Sequence, residues 1–115
     1  MKIVKQALDN SVILLEITGE VTLGESAEEL SLELEKTLQD PSVEGVVLNL
    51  ENINYVDSTG LGELVGYLGR FADKGKRLKL VRPNMLLRKL LSLTRLDEVL
   101  KVYETEEEAL EDLVG

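Results

Sequence analysis

Val46-Val47-Leu48-Asn49-Leu50 is a short apolar run with almost no polar interruption. A run of that length, with neither a period of two nor one of 3.6, fits a strand covered on both faces. Such a strand needs helices above and below its sheet, and the flanking sequence supplies them. Ahead of it, Ala27, Leu30, Leu34 and Leu38 recur at helical spacing, and the pattern stops near Asp40-Pro41. Ser26 and Glu29 have the spacing of a capping box for that helix. Behind the run, Leu61, Leu64, Val65, Leu68, Phe71 and Ala72 fall on one face of a helix that Asp57-Ser58 begins and Gly75 closes.

The remaining elements follow the same logic. Residues 2–7 and 11–18 are rich in strand formers and are separated by the turn pair Asp9-Asn10, which predicts a hairpin ended by Gly19-Glu20. Leu78, Leu80 and Val81 predict a strand ended by Pro83. Leu86, Leu87, Leu90 and Leu91 predict an amphipathic helix, and residues 96–103 carry a last short strand. Thr105 and Glu108 make a second capping box before a terminal helix containing Ala109, Leu110 and Leu113. The expected order is β-β-α-β-α-β-α-β-α. It defines an α/β chain of one domain, residues 1–115, with a mixed but mostly parallel sheet and an antiparallel first strand at its edge.

Composition excludes much chemistry. The chain has no His and no Cys. It therefore has no imidazole base, no thiolate nucleophile, no Ser–His–Asp triad and no usual zinc or haem ligand set. No enzyme, metal site or cofactor is expected. The net charge of −9 argues against nucleic acid. The apolar runs are too short to span a membrane and the N-terminus lacks a signal-peptide core, so a cytoplasmic location is expected. The mean conceals an asymmetry. Between Arg70 and Arg95 nine basic residues stand against Asp73 alone. The simplest reading is the solvated faces of helices and strands; the alternative is a docking site for an acidic partner or anionic lipid. The acids near the first helix start (Glu20, Glu25, Glu28, Glu29) and in the tail (residues 104–112) are explained by helix dipoles.

The segment 54–62, Asn-Tyr-Val-Asp-Ser-Thr-Gly-Leu-Gly, delivers the chain from the sheet to a helix N-terminus. Sites in open parallel sheets gather there, and free N–H groups favour an anion. A phosphate on a hydroxyl at this point would meet those donors, with Asp57 beside it as a like charge. The structural alternative is that Asp57 or Ser58 only caps the helix, while Gly60, Gly62, Gly66 and Gly69 only allow close packing.

Val56-Asp57-Ser58-Thr59-Gly60-Leu61-Gly62 resembles the signature of the STAS domain family, the anti-sigma factor antagonists. Gly19-Glu20-Val21, residues 46–50 followed by Tyr55-Val56-Asp57, Lys79-Leu80-Val81 and residues 90–96 extend the likeness over nearly the whole chain. The resemblance implies partner switching. The unmodified protein binds an anti-sigma factor that is also a Ser/Thr kinase, phosphorylation breaks the complex, and a PP2C-type phosphatase restores it. It makes Ser58 the acceptor and Thr59 the second choice. Asp57 orders the loop, and Gly60 and Gly62 leave it unobstructed. Glu20 and Thr22 join Asp57, Ser58, Thr59, Gly60 and Gly62 in the expected partner surface, on a monomer or weak dimer. Two positions depart from the family pattern: Thr22 stands where Asp is usual, and Arg95 where Gly is usual. The runner-up readings are a phospho-Asp receiver-type domain and a STAS subunit of a transporter complex. The receiver reading lacks an acidic pair beside Glu20 and has Arg82-Pro83 in place of Lys-Pro.

Overall fold

The computed structural model describes residues 1–95 and 102–114. The elements run β1 (Lys2–Ala7), β2 (Val12–Val21), α1 (Glu25–Gln39), β3 (Gly45–Asn49), β4 (Ile53–Val56), α2 (Ser58–Asp73), β5 (Arg77–Val81), α3 (Met85–Leu93), β6 (Val102–Tyr103) and α4 (Glu106–Val114). Of the last strand expected over 96–103, residues 96–101 lie outside the described residues, as does Leu96 of the 90–96 likeness.

The sheet order is β1-β2-β3-β5-β6, with β4 paired to β2 off that path. β1 is antiparallel to β2 and forms the edge, as the hairpin predicts; β3, β5 and β6 are parallel to their neighbours. β3 is buried along its whole length, which is what its unbroken apolar run demands. Alternate residues of β2 feed two cores. Ile13, Leu15 and Ile17 join Leu30, Leu34 and Leu38 of α1 and Leu64, Tyr67 and Phe71 of α2. Val12 and Leu14 join Val47, Val81, Tyr103 and, from α4, Ala109 and Leu113.

Three local expectations need correction. First, residues 53–56, to which the expected order assigns no element, form a strand, so the order gains one. Second, β2 does not stop at Gly19-Glu20. Its pairing with β3 ends at Glu16, and after a register shift at Gly19 it continues beside β4 to Val21. Gly19 takes φ +103, a conformation that favours glycine, and this lets the strand change partner without ending. Third, the Ser26–Glu29 capping box does not form. α1 starts at Glu25 behind Gly24, with no side-chain cap. Ser26 Oγ instead accepts from the Thr22 N–H at 2.9 Å and donates to the Thr22 carbonyl at 3.2 Å. The second box does cap α4: Thr105 Oγ1 accepts from the Glu108 N–H at 3.1 Å.

The basic segment is dispersed into the acidic remainder. Arg70 pairs with Glu35, Lys79 with Asp112, Arg82 with Glu51 and Arg88 with Glu104. Lys76 donates to the carbonyls of Leu38 and Asp40, behind the end of α1. These five cations therefore fasten helices, strands and loops to one another.

Candidate functional site

β4 ends at Val56 and α2 begins at Ser58, so a single residue turns the chain. That residue, Asp57, is extended (φ −91, ψ −176) and caps α2. Its Oδ1 accepts from the Gly60 N–H at 2.8 Å, the bond expected of an Asp N-cap. Its Oδ2 accepts from the Leu23 N–H, also at 2.8 Å. The carboxylate thus joins the start of α2 to the loop between β2 and α1. The N–H groups of Gly60, Leu23 and Thr59 hold the Asp57 carboxyl below its ordinary pKa, because each favours the charged form.

This arrangement changes the expected anion chemistry. The donors that would meet a phosphate at the helix start are already engaged by Asp57. Two bonded oxygens also leave Asp57 poorly placed as a phosphate acceptor, which weighs against the receiver reading. Ser58, the next residue, is exposed, while Thr59 is half-buried and lines a groove between α1 and α2. Glu20 is exposed and sits opposite Tyr55 in the β2–β4 pair. Thr22 is half-buried and held by Ser26. Glu20, Thr22, Asp57, Ser58 and Thr59 therefore gather at one end of the sheet, where β2 and β4 run side by side.

The glycines divide. A Cβ on Gly60 would be driven into the backbone carbonyl of Val21, so the first turn of α2 lies directly against β2. Gly60 is buried and faces the strand. Gly62, Gly66 and Gly69 have nothing within 4 Å of where a Cβ would stand. Close packing explains Gly60 alone. The other three cost helix propensity, about 1 kcal/mol each relative to Ala, with no packing return.

Sequence reasoning found Asp57 and Ser58 but missed Leu23 as the second partner of Asp57, a main-chain donor that carries no side-chain signal. It also missed Val21, whose carbonyl sets the requirement at position 60. Among the described residues there is no cluster of three potential metal ligands and no helix long and apolar enough to cross a membrane.

The architecture is that of a small α/β domain whose exposed hydroxyl stands at a capped helix start, on a mixed sheet with helices on both faces. The STAS domain family model matches residues 3–109, and the chain belongs to that family as a single STAS domain. The chain is 37% identical over 70 residues to a putative anti-sigma factor antagonist, the TM1081 homolog of Thermotoga neapolitana. That match covers 61% of this chain and 62% of the relative, so it spans about three fifths of the relative's length. The anti-sigma F factor antagonist of Paenibacillus polymyxa is 26% identical over 102 residues, covering 89% of this chain and 86% of that one. The crystal structure of a putative anti-sigma factor antagonist from Thermotoga maritima, TM1081, superposes with a TM-score of 0.88 at 28% identity, over 98% of this chain and 95% of that one.

Proposed function

We propose that this chain is an anti-sigma factor antagonist, a cytoplasmic regulatory protein that works by binding and catalyses nothing. In its unmodified form it holds an anti-sigma factor that is also a Ser/Thr kinase, and so frees a sigma factor. Phosphorylation of Ser58 releases the anti-sigma factor, and a PP2C-type phosphatase reverses the modification. Glu20, Thr22, Asp57, Ser58, Thr59 and Gly62 form the partner surface, while Gly60 supports it from beneath.

The observation that carries this reading is the pairing of an exposed Ser58 with a neighbouring carboxylate that spans two elements. A phosphate on Ser58 brings nearly two negative charges and strong acceptor oxygens to within one residue of Asp57. Both anions then compete for the same few N–H groups, and they repel each other. The bond that yields releases either the α2 cap or the Leu23 loop. A modification on one residue is thereby transmitted to the loop that carries Thr22, without disturbing the core. The names of the Thermotoga and Paenibacillus relatives support the class of partner.

The test is phosphosite mass spectrometry after incubation with the kinase that co-purifies with the chain. Label at Ser58, lost in Ser58→Ala and retained in Thr59→Ala, is the expected result. Undiminished label in Ser58→Ala overturns the assignment. Ser58→Asp should weaken capture of the co-purifying partner.

A further inference from the structure

Along the side of the domain, α1 and α2 enclose an open groove of about 530 Å³. On its α1 bank Leu23, just ahead of the helix, and Leu32 stand 77% and 60% exposed, with Glu28 between them in sequence. Arg70 is the sole cation lining the groove, and it grips both oxygens of Glu35 at 2.9 and 2.8 Å. Glu28 and Glu63 take part in no salt bridge among the described residues. The groove thus carries uncompensated negative charge, and its α1 bank runs leucine, glutamate, leucine.

The opposite pattern is on α3. Met85, Lys89 and Leu93 recur at four-residue spacing, so they share one face of the helix over about 12 Å. Met85 and Leu93 are 86% and 72% exposed, with Leu86 beside them also exposed. Lys89 is exposed and takes part in no salt bridge among the described residues. The other face of α3 is anchored: Leu87 is buried in the same core cluster as Leu30 and Leu34 of α1 and Leu64 and Phe71 of α2. The groove and the exposed face of α3 therefore belong to one helical layer, on the same side of the sheet.

We infer that two copies of this chain form a reciprocal dimer in which α3 of each lies along the α1/α2 groove of the other, its Met85 and Leu93 against the Leu23 and Leu32 edge and its Lys89 against Glu28. The two patterns, apolar–acidic–apolar and apolar–basic–apolar, read alike in either direction, so the match does not depend on which way α3 is laid. A second copy covers both exposed apolar patches at once. An unrelated basic helix in the groove leaves Met85 and Leu93 in water, and a bilayer against α3 leaves Leu23 and Leu32 there. An anionic bilayer also meets a chain of net −9. Because both surfaces belong to one layer, a two-fold axis lets the contact form twice, as isologous interfaces require. The −9 on each copy repels at long range, but physiological salt screens that repulsion beyond about 8 Å, while Lys89 and Glu28 meet inside it. Neither surface includes Ser58, so the dimer does not depend on the modification proposed above.

The test is sedimentation equilibrium of the full chain at about 0.15 M salt, from micromolar to millimolar concentration. The expected result is a mass that rises with concentration to that of two chains and stops there. Lys89→Glu places like charges at both contacts, and so does Glu28→Lys. Each variant alone should dimerise at least about tenfold more weakly than wild type. Mixed in equal amounts, the two variants meet with opposite charges at both contacts again, and the mixture should associate as wild type does. A misfolded variant could not regain affinity in this way, so the mixture separates a lost contact from a lost fold. Leu32→Ser and Met85→Ser should each weaken the dimer as well. A monomer mass at every concentration would overturn the inference and leave the groove to a different partner. A mass that climbs past two chains would overturn the reciprocal geometry, and a mixture no stronger than its components would overturn the pairing of α3 with the groove. None of these outcomes bears on label at Ser58, so self-association and modification stand or fall separately.

Discussion

The carboxylate of Asp57 is bonded to the backbone N–H of Leu23 at 2.8 Å, across 34 residues of chain. Its other oxygen caps α2 through Gly60. One side chain thus performs a local task, which any N-cap performs, and a long-range one, which ties the loop after β2 to the helix bearing Ser58.

Asp57→Ala should therefore cost more than an ordinary cap. The melting temperature should fall by roughly 5 °C. The Leu23 amide should lose protection from hydrogen exchange along with that of Gly60. Because the folded pKa of Asp57 is depressed by its N–H partners, its contribution is complete above the unfolded value, near pH 4. It is lost as pH falls through the folded value. Urea midpoints measured from pH 6 downward should fall more steeply in acid for wild type than for Asp57→Asn.

Substitutions at the glycines of α2 should have opposite signs. Gly60→Ala places a methyl group against the Val21 carbonyl, where only backbone could move, and should cost about 2–3 kcal/mol. Gly62→Ala and Gly69→Ala meet nothing and should gain about 0.5–1 kcal/mol each. Urea titration of the three variants decides this, and a destabilised Gly62→Ala would contradict the open geometry.

Arg95 takes φ 59 immediately beyond α3, a conformation costly for any residue with a Cβ. The family's usual glycine at this place has a physical reason here. Arg95→Gly should raise stability by about 1 kcal/mol, and it should leave partner capture unchanged.

Tyr103 is buried between the sheet and α4, where its hydroxyl donates to Asp112. Burial first, and the Asp112 carboxylate second, push its pKa up to about 12. A raised phenol pKa means that the protonated form is favoured by folding. That contribution is intact below the unfolded value near pH 10 and is lost as pH climbs towards 12. Absorbance titration should show a late-ionising tyrosine that disappears in Tyr103→Phe.

Much of this arrangement can be read from the residues before any coordinates. The run at 46–50 has no polar face, so it must be an interior strand; Leu30, Leu34 and Leu38 have one, so they must form a helix against it. Asp57-Ser58 announces a helix start by residue type alone. Other features carry no such signal. Ile53-Asn54-Tyr55-Val56 is too short and too polar to declare a strand, and only the free end of β2 makes it one. Ser26 and Glu29 match a local motif, yet the Thr22 backbone claims the serine first. The four α2 glycines look alike in sequence, while the position of Val21 singles out Gly60.

The transfer of β2 from β3 to β4 at Gly19 has a consequence for how the molecule breathes. The pairing of β2 with β4 is confined to Gly19, Glu20 and Val21, whereas that with β3 runs unbroken from Val12 to Glu16. The end of the sheet nearest Ser58 is thus a short fork joined to a long stem. In exchange experiments the two should behave as separate opening units, with fork amides at Val21, Tyr55 and Asp57 exchanging through small local excursions and stem amides at Leu14 and Leu48 through global unfolding. A charge added beside the fork then acts on the shorter of the two pairings, apart from the longer stem.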